Sequence, residues 1–390
     1  MSRFATRLAT AQLPESPDFR PVNPPIVLST TFHMDDELLD SMSRGDYRSG
    51  YLYTRMGNPT VRALEHKLAE LHGAADGVTM ASGMGALSAF LFGLTAPGDT
   101  IIAAQQLYGV TASLLRSYVA PAGRNVVFVD LGNPDALDAA LSTSTNVRWV
   151  LGETVSNPLC SVLDIGATSR LAHLHGARLA IDNTFVGPAI CRPLEHGADL
   201  VIESLSKSIA GHSDVHGGAV VGSREDCDTV WQAMIHLGAC LDPHAAYLVL
   251  RGLKTLAMRT DTSCANAARI AAALNAHAEV DAVYYPGIAH ESGEVVAHAQ
   301  LDSPGYMLSF VVSGGDERAQ RLLNALTTVA QATSLGGVES LASLPFNTSH
   351  RTPEARASVG LRPGTVRLSV GCEDIDDLLA DLASALNATR

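Results

Sequence analysis

The strongest constraint on this chain is a rhythm. Six short apolar runs, Gly77 to Met80, Thr100 to Ala104, Val126 to Val129, Val147 to Leu151, Arg178 to Ile181 and Leu200 to Ile202, alternate with segments of helical periodicity. Runs spaced so widely are joined by crossovers rather than hairpins. They predict parallel βαβ units, an α/β sheet with helices on both faces and binding groups at the carboxyl ends of its strands. A helix is predicted from Asn58 as cap, with Pro59 in its first turn, apolar residues at Val61, Leu64, Leu68 and Leu71, and Gly73 as its stop. Ahead of it, Pro14, Pro17, Pro21, Pro24 and Pro25 predict an irregular, extended arm without helix up to Gly57, which needs a surface to lie on. After the sheet, Pro243 to His277 reads as one long helical stretch connecting two domains. Strands at Tyr306 to Val312 and Thr365 to Val370, with helices at Glu317 to Leu326 and Ile375 to Asn387, then predict a smaller α+β domain. The expected division is an arm over residues 1–57, a large domain over 58–256 and a C-terminal domain over 257–390.

Composition narrows the partners. The chain has 390 residues, 46% of them apolar and 17% charged, enough to bury large cores without staples. Its 27 basic and 40 acidic residues give a net charge of −13, which disfavours nucleic acid and anionic membrane. No apolar run reaches the roughly 18 residues of a membrane span, and the N-terminus lacks a signal-peptide core, so a cytoplasmic location is expected. Six cysteines without a C-x-x-C pair predict reduced core thiols and no metal.

Five features at strand ends carry chemistry. Ala81-Ser82-Gly83-Met84-Gly85-Ala86 follows a strand and opens a helix, so small residues there let amides face a phosphate; tight packing alone would also explain it. Ser88 stands where a dinucleotide fingerprint needs its third glycine, which favours a single phosphate. Glu203-Ser204-Leu205-Ser206-Lys207 offers a Schiff-base amine beside two hydroxyls. The same segment matches the S-x-x-K of serine acylases literally, but the downstream S-D-N and K-T-G of that class are missing. Asp182, ending a strand 25 residues before Lys207, suits a pyridinium nitrogen or a helix cap. Tyr108 can cover a planar ring. Arg367, between apolar neighbours in a strand, needs an anion, either a substrate carboxylate or an internal partner. Together they describe a site for pyridoxal 5′-phosphate (PLP).

These segments, with Tyr53-Thr54-Arg55, Asn58-Pro59-Thr60, Leu107-Tyr108-Gly109, Glu153 through Asn157-Pro158, Asp182-Asn183-Thr184, Gly211-His212, Ser334-Leu335-Gly336 and Arg367 through Gly371, resemble the Cys/Met metabolism family of PLP enzymes from about residue 20 onward. The resemblance implies PLP-dependent transferase fold type I: a mostly parallel central sheet with helices on both faces and a smaller α+β C-terminal domain. It makes Lys207 the Schiff-base lysine and the base that moves protons between Cα, C4′ and Cβ. Asp182 would bind the ring nitrogen, and Tyr108 would stack on the ring and act as acid or base at the γ leaving group. The amides of Gly83 and Met84, with Ser204 and Ser206, would hold the phosphate, joined by Tyr53 and Arg55 of a neighbouring subunit. Asn157, which also touches the cofactor, and Arg367 would bind the substrate carboxylate, with Ser334 close by. A homodimer that completes the site, usually paired into a homotetramer, is implied.

The implied reaction is γ-elimination or γ-replacement on a sulfur-containing or O-activated homoserine-type amino acid. The specificity positions depart from the family's patterns: Val110, Ser113, Met234, Ile235 and Thr333 replace the residues of both the methionine- and cystathionine-handling members. Glu203 replaces a histidine and Ser208 an aromatic, which predicts an altered pocket. A bulkier donor such as S-adenosylmethionine with a carbon nucleophile is the alternative.

Overall fold

The computed structural model describes residues 3–10, 21–288, 296–297, 299–348, 352–357 and 359–390. The strand-helix rhythm becomes a seven-stranded sheet, and each predicted run lies in a strand: β1 (Asp76–Met80), β2 (Thr100–Ala104), β3 (Asn125–Val129), β4 (Val147–Glu153), β5 (Arg178–Asp182) and β6 (Leu200–Glu203). A seventh strand, β7 (Gly218–Gly222), was not expected. Its G-A-V-V-G run is short and glycine-bounded, and it slots between β1 and β6 antiparallel to both, in the order β1-β7-β6-β5-β4-β2-β3. The other six strands share one direction, so their carboxyl ends form a common rim. Val78, Ile101, Ile102, Val150, Leu151, Leu179 and Ile202 pack with the flanking helices into the largest apolar core, as expected of strands covered on both faces.

The helix Pro59–His72 forms as predicted, with the Asn58 side chain accepting from Thr60 N and Gly73 closing it at φ 67°. The arm departs from expectation. Pro14 and Pro17 lie outside the described residues, but helices form at Phe4–Ala9 and Asp36–Ser43, on either side of the proline-rich stretch. The second has a cap that proline counting overlooks, since Asp35 accepts from Leu38 N and acids occupy the first turn. The first lies on its own chain: Leu8 enters the core beside Leu64, Leu68 and Leu71, Arg7 Nη1 donates to Glu70 O at 2.8 Å, and Lys67 Nζ donates to Arg7 O at 2.8 Å.

The stretch expected as one helix is two, Pro243–Leu253 and Leu256–Asn275. At the break Arg259 donates to Gly252 O at 2.9 Å, a carbonyl that a continuous helix would spend on its own ladder, and to the Thr255 hydroxyl at 3.1 Å. Beyond it lies a second sheet of β8 (Val280–Tyr284), β9 (Met307–Val312), β10 (Ala330–Gln331), β11 (Leu341–Ser343) and β12 (Thr365–Ser369), ordered β10-β11-β12-β9-β8. The helices predicted near Glu317 and Ile375 run Gly315–Ala325 and Ile375–Ala388. Period-two alternation on β12 sends Val366 and Leu368 into a separate core with Phe310 and Leu382, which leaves Arg367 on the other face. Of the six cysteines, four are buried, two are half-buried and none is bridged.

Candidate active site

The rim of the large sheet and the free face of β12 meet at one place. Lys207, just after β6, donates from Nζ to Ser334 Oγ at 2.8 Å. Ser334 has φ 94°, a left-handed backbone rare outside glycine, and its carbonyl accepts from Arg367 Nη2 at 3.0 Å. The other guanidinium arm donates to Asn157 Oδ1 at 3.1 Å, while Arg367 Nε is buried without a partner. Lys207, Ser334, Arg367 and Asn157 are thus one bonded chain across the two sheets. Burial, helped by the neighbouring Arg367 charge, lowers the Lys207 pKa below that of an ordinary lysine. Burial also lowers that of Arg367.

Asp182 ends β5 and accepts from Thr184 N at 3.1 Å, and it makes no ion pair among the described residues. Burial raises its pKa, so its ionised form needs a cation placed opposite. Glu153 ends β4 in direct register with Asp182. Its Oε1 accepts from Tyr108 N at 2.6 Å and its Oε2 from Asn157 N at 3.4 Å. Burial, and then the Asp182 charge, push it to about 8. Tyr108 stands above this rim with 41% of its surface exposed.

The segments that the sequence suggested for a phosphate, Ser82 to Met84 and Ser204 to Ser206, meet by close backbone approach. Ser82 caps the helix Gly83–Gly93 by accepting from Gly85 N at 3.0 Å, so this helix N-terminus faces the segment after β6. A Cβ on Gly83 would lie 2.9 Å from Ser204 Cβ. Only glycine allows the Gly83 amide and Ser204 to share that space. Ser206 Oγ accepts from Gly217 N at 3.0 Å, and Thr184 Oγ1 accepts from Ser204 N at 2.8 Å. Thr184 is a contributor that strand-end reading missed, although it directly follows Asp182-Asn183. The serine-acylase alternative fails here, since Lys207 Nζ pairs with Ser334 rather than Ser204.

Tyr53 and Arg55 are not brought to this cradle by their own chain. Tyr53 is 42% exposed, the Arg55 guanidinium lies 5.8 Å from its ring centroid, and both line an open depression with Leu28, Cys240 and Asp242. The altered residues also sort differently than expected. Glu203 does not reshape the pocket: it is buried, accepts from Asn183 Nδ2 at 2.9 Å and lies 3.4 Å from His72 Nε2. Ser208 is buried against Gly187 and Gly336, and Met234 is core. Val110, Ser113 and Thr333 are exposed.

A desolvated lysine, an aspartate awaiting a cation, a helix N-terminus packed against Ser204 and an arginine with an unfilled donor fit PLP atom class by atom class. The fold and site define an enzyme of Schiff-base chemistry. The comparisons agree: the chain belongs to the Cys/Met metabolism PLP-dependent enzyme family, whose model matches residues 5–387. It is 40% identical over 370 residues to an L-methionine gamma-lyase of Pseudomonas putida, covering 94% of this chain and 92% of the relative. It is 40% identical over 340 residues to a cystathionine beta-lyase of Lactococcus lactis, covering 86% and 88%. A crystal structure of cystathionine gamma synthase from Xanthomonas oryzae pv. oryzae superposes with a TM-score of 0.93 at 39% identity, covering 100% and 99%.

Proposed function

We propose that this chain is a C–S lyase or trans-sulfuration enzyme, catalysing γ-elimination or γ-replacement on a sulfur-containing or O-activated homoserine-type amino acid. The observation that carries the reading is the bonded chain from Lys207 through Ser334 and Arg367 to Asn157, beside Asp182. It sets an amine and a carboxylate receptor a short distance apart, as an α-amino acid requires. Bound PLP supplies an electron sink for negative charge developing at the substrate's carbon atoms.

The protein residues divide the remaining work. Asp182, buried at the end of β5, keeps the ring nitrogen protonated by placing its carboxylate opposite it. Gly83, Met84, Ser204 and Ser206 hold the phosphate. Arg367 Nη1 and Nη2 turn from Asn157 and Ser334 to the substrate carboxylate, which also fills the unpaired Nε. Lys207 Nζ, made easier to deprotonate by burial, takes and returns protons at Cα and Cβ. The Tyr108 hydroxyl, exposed at the rim, serves the γ leaving group. Tyr53 and Arg55 complete the cradle of a second subunit, which their separation from Ser204 in one chain supports. The division at residues 57 and 256 separates the arm, the domain bearing Lys207 and the domain bearing Arg367.

The test offers methionine, cystathionine, O-acetylhomoserine and S-adenosylmethionine in turn to the holoenzyme, following the near-visible band and 2-oxo acid release. One of the first three is expected to be turned over. Lys207→Ala should abolish turnover with an unchanged far-ultraviolet spectrum, and Arg367→Ala should raise KM more than about tenfold, the worth of a lost charged hydrogen bond. Turnover of S-adenosylmethionine alone would replace this reading with the bulkier-donor one. Retained turnover in Lys207→Ala would end both.

A further inference from the structure

Glu153 is a buried carboxylate at the rim to which the chemistry above gives no task. It is 8% exposed, sits beside Asp182 in the β4–β5 register, and spends both oxygens on backbone amides of two separate loops. One amide belongs to Tyr108, the residue over the ring; the other belongs to Asn157, whose side chain holds Arg367. A bonded path therefore runs from Tyr108 through Glu153, Asn157, Arg367 and Ser334 to Lys207. Glu153 is its branch point between the ring-covering group and the carboxylate receptor.

Burying an ionisable group next to another carboxyl is costly, and a purely structural crosslink between two loops needs no charge. An acceptor with two oxygens is needed only where two N–H groups converge on one side chain. We propose that Glu153 is a positioning residue: its two carboxyl oxygens fix the Tyr108 and Asn157 backbones to the end of β4, and so set the gap in which cofactor ring and substrate carboxylate are held. This rests on the reading of the site given above. A glutamine at 153 presents one acceptor and one donor to two donors, which leaves one buried amide unpaired. An aspartate keeps a carboxyl beside Asp182 but falls one methylene short of both amides.

The experiment uses holoenzyme and glycine, which carries the α-amine and α-carboxylate but no leaving group. Wild type, Glu153→Gln and Glu153→Asp are compared for the glycine concentration that half-saturates the change in the visible band, for visible circular dichroism of the bound cofactor, and for melting temperature. Both variants are expected to need about tenfold more glycine, the order of the cost of leaving one buried amide unpaired, with altered visible dichroism. Glycine affinity and dichroism within twofold of wild type in both variants would overturn the proposal. So would a lower melting temperature with unchanged dichroism and glycine affinity, the pattern of a structural crosslink. If Glu153→Asp matches wild type while Glu153→Gln is impaired, charge rather than position is the contribution, and the proposal fails. A wild type that binds cofactor and glycine but turns over none of the donors would refute the proposed reaction while leaving this test intact.

Discussion

Gly218 tests whether the phosphate cradle is built by backbone approach. It opens β7 opposite Met80, and a Cβ added there would lie 2.2 Å from the Ser82 carbonyl oxygen, 2.5 Å from its carbon and 2.7 Å from Gly83 N. Ordinary carbon contacts begin near about 3.5 Å, so Gly218→Ala must push the Ser82–Gly83 turn back by about 1 Å. The obstructing atoms are backbone, which cannot swing aside as a side chain would. On its other flank the turn already meets Ser204, whose Cβ would lie 2.9 Å from a Gly83 Cβ. The displaced turn therefore carries the Gly83 and Met84 amides out of line with Ser204. Overpacking of this kind costs about 1–3 kcal/mol in the cofactor-free protein. A shift of about 1 Å in a binding group costs up to about a hundredfold in its task.

The assay titrates cofactor-free protein with PLP and, separately, with pyridoxal, which lacks the phosphate. Gly218→Ala should weaken PLP at least about tenfold while leaving pyridoxal nearly unchanged, and should lower the urea midpoint. Wild-type affinity for PLP together with a wild-type urea midpoint would refute the argument that this turn is wedged between Gly218 and Ser204.

Two further outcomes follow from the same geometry. Mixed dimers formed by co-expressing Lys207→Ala with Arg55→Ala pair one intact lysine with one intact Arg55, so about a quarter of wild-type activity should return if the arm serves a neighbouring subunit; no recovery would mean that Arg55 serves its own chain or none. His72 is fully buried with neither ring nitrogen hydrogen-bonded, its Nε2 lies 3.4 Å from Glu203 Oε1, and burial lowers its pKa from 6.5 to about 3. Between those values the unfolded chain binds the proton and the folded chain does not, so stability falls as pH drops through this window. Relative to His72→Leu, wild type should lose about 1.5 kcal/mol between pH 6.5 and 5, and parallel unfolding curves for the two proteins would contradict the neutral burial of this ring.

Most strands of the large sheet and the cofactor class were legible in the order of residues alone. Alternation located six of the seven strands of the large sheet, because a strand buried on both faces must be apolar along its length. Lys207, Asp182, Tyr108 and Gly83, the residues proposed for the site, stood out in the sequence because each lies at or just beyond the end of a strand, a position that a break in hydrophobicity reveals. Proline content misread the arm, since Phe4–Ala9 lies ahead of the first proline and the Asp35 cap starts Asp36–Ser43 in the span between Pro25 and Pro59. Tertiary structure alone decided the rest. The antiparallel insertion of β7 follows from pairing rather than pattern, and the helix break near Thr255 follows from Arg259, a residue four positions beyond it. Val110 and Ser113 look outward while Glu203 and Ser208 are buried, a division that substitution at neighbouring positions does not announce. The role proposed for Glu153 depends on two loops converging on one side chain, Tyr108 from 45 positions before it and Asn157 four after it, beside Asp182 on the next strand. No linear pattern records such a meeting, because hydrogen-bond partners are chosen by distance in space and not by separation along the chain.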